Sequence, residues 1–120
     1  MTDPRPFTIV CDIDGCLFSH DGDIVYQYRN DPKVLPGVLD KIREWDRKGY
    51  NIILLTGRKE STRQETIAQL SKAGIVYDQL IMGVGGGKRI LINDFKPNST
   101  EPTAVAVNLE RNKGMEDVDI

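Results

Sequence analysis

The sequence predicts an α/β fold in which a parallel sheet is covered by helices, and three observations point there. Short apolar runs rich in Ile, Val and Leu alternate with longer amphipathic runs. Most of the apolar runs stop at Asp, Thr or Gly, as strands do where a chain turns at a sheet edge. The size is that of one domain: 120 residues, 39% hydrophobic and 28% charged.

The elements follow in order. PFTIVCDID reads as a first buried strand, β-branched and aromatic residues ended by polar ones and Gly15. LFSHDGDIVYQY reads as a hairpin over 18–30, its arms joined at Asp21-Gly22. DPKVLPGVLDKIREWDRKGY is a helix with Pro36 near its start, Val38, Leu39, Ile42 and Trp45 on one stripe, and Gly49 at its end. YNIILLTGR is a second strand. KESTRQETIAQLSKAG is a second helix, with Ile67 and Leu70 facing inward and Gly74 stopping it. YDQLIMG and RILIND are further short strands, TAVAVN a last one, and residues 110–120 a frayed tail.

Bulk properties narrow the function. A formal net charge of −2 offers no broad cationic field for a nucleic-acid backbone. No apolar run approaches the roughly 20 residues needed to span a bilayer, and no basic-then-apolar leader opens the chain, so no membrane partner and a cytoplasmic location are expected. Cys11 and Cys16 lack the spacing of a zinc site and are read as reduced packing residues.

In parallel sheets ligands bind beyond the carboxyl ends of the strands. That edge would gather Asp12 and Asp14 after the first strand, Thr56 and Gly57 after the second, and Asp94 after RILIN. Converging aspartates make an oxygen site for a hard cation such as Mg²⁺, and a divalent ion would relieve the repulsion between Asp12 and Asp14. Thr56-Gly57-Arg58 stands where a strand enters a helix, a corner suited to an anion. Lys88 follows the glycine run GVGGG, which lets an ammonium group curl toward the same corner. Each part alone also has an ordinary structural reading: turn aspartates, a strand–helix turn, a solvated lysine, an Asp94 that caps a turn. MGVGGGKR is neither a Walker loop nor G-x-G-x-x-G, and it precedes a strand rather than a helix.

DIDG after a strand, LLTGR ending the next, a following lysine and LIND together resemble the haloacid dehalogenase (HAD) superfamily, over about Phe7 to Pro97. The resemblance implies a Rossmann-like three-layer sandwich with a central parallel sheet, one domain over 1–120, a hairpin flap and no cap domain. It implies a phosphoric monoester hydrolase in which Asp12 attacks phosphorus and Asp14 first protonates the leaving group, then activates water. It further implies Mg²⁺ at the Asp12 carboxylate, the Asp14 backbone carbonyl and Asp94, with Thr56 and Lys88 on the phosphoryl oxygens. Arg58 is expected either to contact substrate or to pair with a carboxylate near the helix start, and His20 on the flap is a candidate substrate contact beside the reading of an idle loop histidine. Asn93-Asp94 departs from the two-acid motif common in the family and implies a thinner metal shell. The absence of a cap insertion implies a small phosphorylated metabolite such as a sugar phosphate, with a homo-oligomer as a way to cover it. Two alternatives stay open: a non-catalytic Mg²⁺ or phosphosugar-binding module, and a phosphoacceptor signalling domain.

Overall fold

A computed structural model describes residues 4–23, 27 and 29–120. Three strands, β1 (Thr8–Asp12), β2 (Asn51–Leu55) and β3 (Gln79–Ile81), form a parallel sheet in the order β1-β2-β3. The register pairs Ile9 with Ile52, Cys11 with Leu54, and Leu54 with Leu80. Parallel neighbours need crossover connections, and the two helices supply them. Helix α1 (Val38–Arg47) joins β1 to β2, and α2 (Arg63–Ala73), entered through a 3-10 turn at Glu60–Thr62, joins β2 to β3. The expected α/β, Rossmann-like class is thus present.

The α1 stripe Val38, Ile42 and Trp45 is buried as its spacing predicts, against Ile9, Ile52 and Leu54 of the sheet. Leu70 of α2 joins the same cluster. In β1 and β2, Ile9, Cys11, Ile52 and Leu54 share one face; by strand alternation Val10, Ile53, Leu55 and Ile81 share the other. On that second face Val10 is 55% and Ile81 41% exposed, while both helices feed the core on the first.

Several expectations are corrected. The hairpin over 18–30 does not form among the described residues. Phe18 does make an antiparallel bridge, but with Val34, and Ser19 N–H donates to the Lys33 carbonyl. Gln27 N–H donates to the Asp23 carbonyl four residues back, a helical bond. The expected second arm at 24–26 and 28, with Tyr26 and Tyr28, lies outside the described residues. The flap therefore closes at its base on 33–35, and Gln27 turns inward.

RILIND and TAVAVN form no strand. Ile90, Leu91 and Ile92 are 79%, 70% and 87% exposed, and Val105 is 82% exposed. Only seven residues, 82–88, separate β3 from this run, too few for the crossover of a dozen or more residues that a further parallel strand requires. Nor is the C-terminus frayed. Met115 and Val118 are buried in the core, and Met115 N–H donates to the Pro36 carbonyl at 2.9 Å. Gly114 sits at φ 87°, with the Pro36 oxygen only 2.3 Å from where a Cβ would stand. The Met115 and Val118 side chains make the tail worth burying, and Gly114 lets it approach.

Ile67 is 40% exposed, not inward. The face of α2 that turns in carries Thr66, Gln69 and Leu70. The reason lies in the site.

Candidate phosphoryl site at the carboxyl edge of the sheet

β1 ends at Asp12, and the chain then winds tightly around the Ile13 carbonyl, which accepts from the N–H groups of Leu17 and Phe18 at 2.9 and 3.0 Å. Gly15, at φ 92°, permits the turn and lies under Arg111, whose Cγ is 3.2 Å from a Cβ placed there. This winding sets Asp12 and Asp14 at the sheet edge in different surroundings.

Asp14 is held from several sides. Arg58 Nε donates to Asp14 Oδ2 at 2.9 Å and its NH2 to Oδ1 at 2.7 Å, a two-point contact between guanidinium and carboxylate. Gln27 Nε2 donates to the same Oδ1 at 2.8 Å. Arg58 is 1% exposed, and its remaining nitrogen donates to Gln69 Oε1 at 2.7 Å and Thr66 Oγ1 at 3.1 Å. Gln69 in turn donates to the Gln27 carbonyl. A buried guanidinium must have its protons taken up, which is why α2 presents Thr66 and Gln69 inward. The network ties the β1 loop, the β2 loop, α2 and the flap around one ion pair.

Asp12 has no such clamp. Its Oδ1 accepts the Ile13 N–H at 2.9 Å, and among the described residues its other oxygen has no hydrogen-bond partner. Burial pushes its carboxyl above the usual Asp range; the Ile13 N–H, the Arg89 guanidinium and the nearby His20 ring pull it back, and Asp14 adds to the rise. His20 is fixed by Asn112, which accepts its N–H at 2.8 Å and donates to its carbonyl at 3.3 Å. His20 Nδ1 is buried with no partner among the described residues.

The second-strand corner forms as the sequence suggests. Thr56 is buried, and its Oγ1 accepts the Arg58 N–H at 3.1 Å. Gly57 is where two loops touch: a Cβ there would stand 2.9 Å from the Val84 carbonyl. Val84 N–H donates to the Thr56 carbonyl and Gly83 N–H to the Arg58 carbonyl, lacing the end of β3 to this corner.

The structure thus brings together Asp12, Asp14, His20, Thr56, Gly57 and Arg58. Two expected members make no hydrogen bond or ion pair to this group among the described residues. Lys88 is exposed, and the loop cation whose field acts on Asp12 is its neighbour Arg89, held by a 2.9 Å bond from NH1 to the Gly87 carbonyl. Asp94 is exposed on the irregular segment after β3, where its carbonyl accepts the Thr103 hydroxyl. Among the described residues no group of three or more His, Cys, Asp or Glu side chains converges to hold a metal ion. The donor set implied for Mg²⁺ is therefore incomplete: Asp94 does not converge with Asp12, which leaves the Asp12 carboxylate and the Asp14 backbone carbonyl. Of the two roles expected for Arg58, the structure shows the pairing with a carboxylate: it is the buried partner of Asp14.

Cys11 and Cys16 flank the acids as free thiols. Burial pushes Cys11 up to about 12 and raises Cys16 as well, so both stay protonated packing groups at neutral pH.

Sequence reading missed Gln27, Thr66, Gln69, Arg89 and Asn112. For Thr66 and Gln69 a signal existed: two polar residues three apart, beside Leu70, on a helix whose apolar stripe is otherwise thin. Asn112 lies 92 residues from His20, and no local pattern announces it.

Comparisons with known proteins agree with the geometry. Membrane-associated phosphatidylinositol transfer protein 3 of Homo sapiens is 37% identical over 59 residues, 47% of this chain and 6% of that protein. Protein retinal degeneration B of Drosophila melanogaster is 36% identical over 91 residues, 68% of this chain and 7% of that protein. The chain thus spans well under a tenth of the length of these relatives. Among solved structures, one chain of a Pnkp1/Rnl/Hen1 complex superposes with a TM-score of 0.58 at 31% identity, over 71% of this chain and 30% of that one. The family model for the LNS2 domain of PITM 1-3 matches residues 9–93, from β1 through the two motif corners to Asn93. The chain belongs to that LNS2 family and shares its HAD-like fold.

Proposed function

We propose that this domain acts on phosphate monoesters, with Asp12 as the nucleophile toward phosphorus. The observation that carries the reading is the asymmetry of the two acids. Among the described residues Asp12 keeps an oxygen without a partner at the strand edge, with the Arg89 guanidinium acting on it, while Asp14 is committed to Arg58 and Gln27. An attacking carboxylate needs an accessible lone pair, and a dianionic phosphoryl group needs positive charge beside it. Arg89 supplies that charge, and the laced Thr56-Gly57 corner offers the anion a place. Asp14 has both oxygens occupied, by the buried Arg58 guanidinium and by Gln27, and so is poorly placed to reach a leaving alkoxide. His20, whose Nδ1 has no partner among the described residues, is a group beside Asp12 suited to proton transfer. Family membership supports a phosphatase-like fold; a small ester such as a sugar phosphate is the substrate class of this reading.

A second reading is a phosphate-ester-binding module without turnover. It is favoured by the same Asp14–Arg58 pair, which removes one acid from proton transfer, and by the dispersed metal donors. Phosphate release from sugar phosphates, inositol phosphates, nucleotides and phosphopeptides, with and without Mg²⁺, separates the two. Turnover of one class that disappears in Asp12→Asn supports the hydrolase. Saturable binding of an ester by both proteins, with no release by either, supports the module.

A further inference from the structure

Asn112, near the C-terminus, reaches both ends of the loop that runs from the acidic pair to His20. Its N–H donates to the Gly15 carbonyl at 3.0 Å. Its side chain makes a two-point contact with the His20 backbone: Oδ1 accepts the N–H at 2.8 Å, and Nδ2 donates to the carbonyl at 3.3 Å. The carboxamide thus pairs with His20 as the peptide of a neighbouring strand would. Among the described residues no other hydrogen bond holds the His20 backbone.

A proton-transfer histidine is ordinarily aimed by a partner at its second ring nitrogen. Here Nδ1 is buried and has no partner among the described residues. The ring, close enough to act on the Asp12 carboxyl, therefore takes its place from the backbone that carries it, and that backbone is held by Asn112. The tail does not need this side chain to stay down. Met115 and Val118 are buried in the core, and Met115 N–H donates to the Pro36 carbonyl at 2.9 Å. Asn112 itself sits at φ 64°, a left-handed conformation that asparagine tolerates better than most residues.

We infer that Asn112 is a positioning residue for the chemistry of the site: by fixing the His20 backbone relative to Gly15, it sets the imidazole beside Asp12. This rests on the reading of His20 as the group that moves the proton, and it makes the C-terminal segment a working part of the site. Misplacing a reacting group by about 1 Å costs up to about 100-fold in rate.

Asn112→Gly isolates the contact, because glycine keeps the left-handed turn and the N–H to Gly15 and removes only the carboxamide. On the ester that wild type turns over fastest, kcat should fall by about 10- to 100-fold with KM within about twofold. Asn112→Asp, which keeps an acceptor for the His20 N–H, should recover part of the loss. In a His20→Asn background, Asn112→Gly should lower turnover no further, since the ring it positions is gone. A loss of the same size in that background overturns the inference, because Asn112 then acts on the loop and not through His20. Full activity in Asn112→Gly, with wild type active, overturns this inference alone; no release by wild type overturns the hydrolase reading and this inference with it. A second readout needs no turnover. His20 is the chain's single histidine, so its ring gives one identifiable set of NMR signals. In Asn112→Gly these should move to the positions of an unrestrained histidine while the amide signals of β1 and β2 stay in place. Ring signals unchanged from wild type contradict the positioning role.

Discussion

At the scale of single residues, the site rests on the different fates of two carboxylates one residue apart. Asp14 is an anchor. Arg58→Ala should cost about 3–5 kcal/mol in urea denaturation, because it leaves a nearly buried carboxylate without its charge partner. Arg58→Lys should recover only part, since an ammonium cannot make the two-point contact and also serve Thr66 and Gln69. Asp12 carries the opposite burden. Its folded carboxyl is raised by burial above the ordinary 3.8, so the folded state holds this proton more tightly than the unfolded one. The stability this provides is present below the ordinary value and is lost as pH rises through the raised one. Asp12→Asn, which keeps an oxygen for the Ile13 N–H, should therefore be more stable than wild type at pH 7, and the difference should vanish below the ordinary Asp range. Equal thermal unfolding temperatures at pH 7 would count against the raised carboxyl. His20→Asn should lower turnover about 100-fold if this imidazole moves the proton, with the fold unchanged.

At the scale of elements, close approaches between loops decide where these residues stand. Gly57→Ala would press a Cβ to 2.9 Å from the Val84 carbonyl, a backbone atom that cannot swing away. Separation of the two laced corners should cost about 1–3 kcal/mol in chemical denaturation and lower activity beyond that loss. Much of this level was legible in the sequence. The Val38, Ile42, Trp45 stripe, the strands ending at Asp12 and Leu55, and the glycine stops at Gly49 and Gly74 all lie in local patterns, and they form as read. The failures have a common physical source. RILIND has the composition of a strand, but a strand needs a neighbour, and seven residues after β3 cannot carry the chain to one in parallel. Ile67 follows helical spacing, but a buried guanidinium outbids it by requiring Thr66 and Gln69 on that face. In both cases a tertiary demand overrides a local preference.

At the scale of the whole molecule, the last dozen residues complete what the first twenty begin. Asn112 clamps His20, Arg111 covers Gly15, and Met115 and Val118 fill the core beside α1. The tail looked frayed because its few apolar residues are scattered among charges; their destination, Pro36 and the start of α1, is about 80 residues away in sequence. Met115→Ala should destabilise by about 2–5 kcal/mol, as a buried large-to-small change does, whereas a frayed tail would show no effect. Truncation before Asn112 should do more, releasing His20 from the site as well as opening the core.

The measurement closest to the central claim is phosphate release by wild type and by Asp12→Asn, on whichever ester of the panel wild type turns over fastest, with folding checked by circular dichroism. The asymmetry of the two acids predicts loss of release in Asp12→Asn alongside retained or increased stability. Release at the wild-type rate from a folded Asp12→Asn protein would contradict it, and would remove Asp12 from the chemistry.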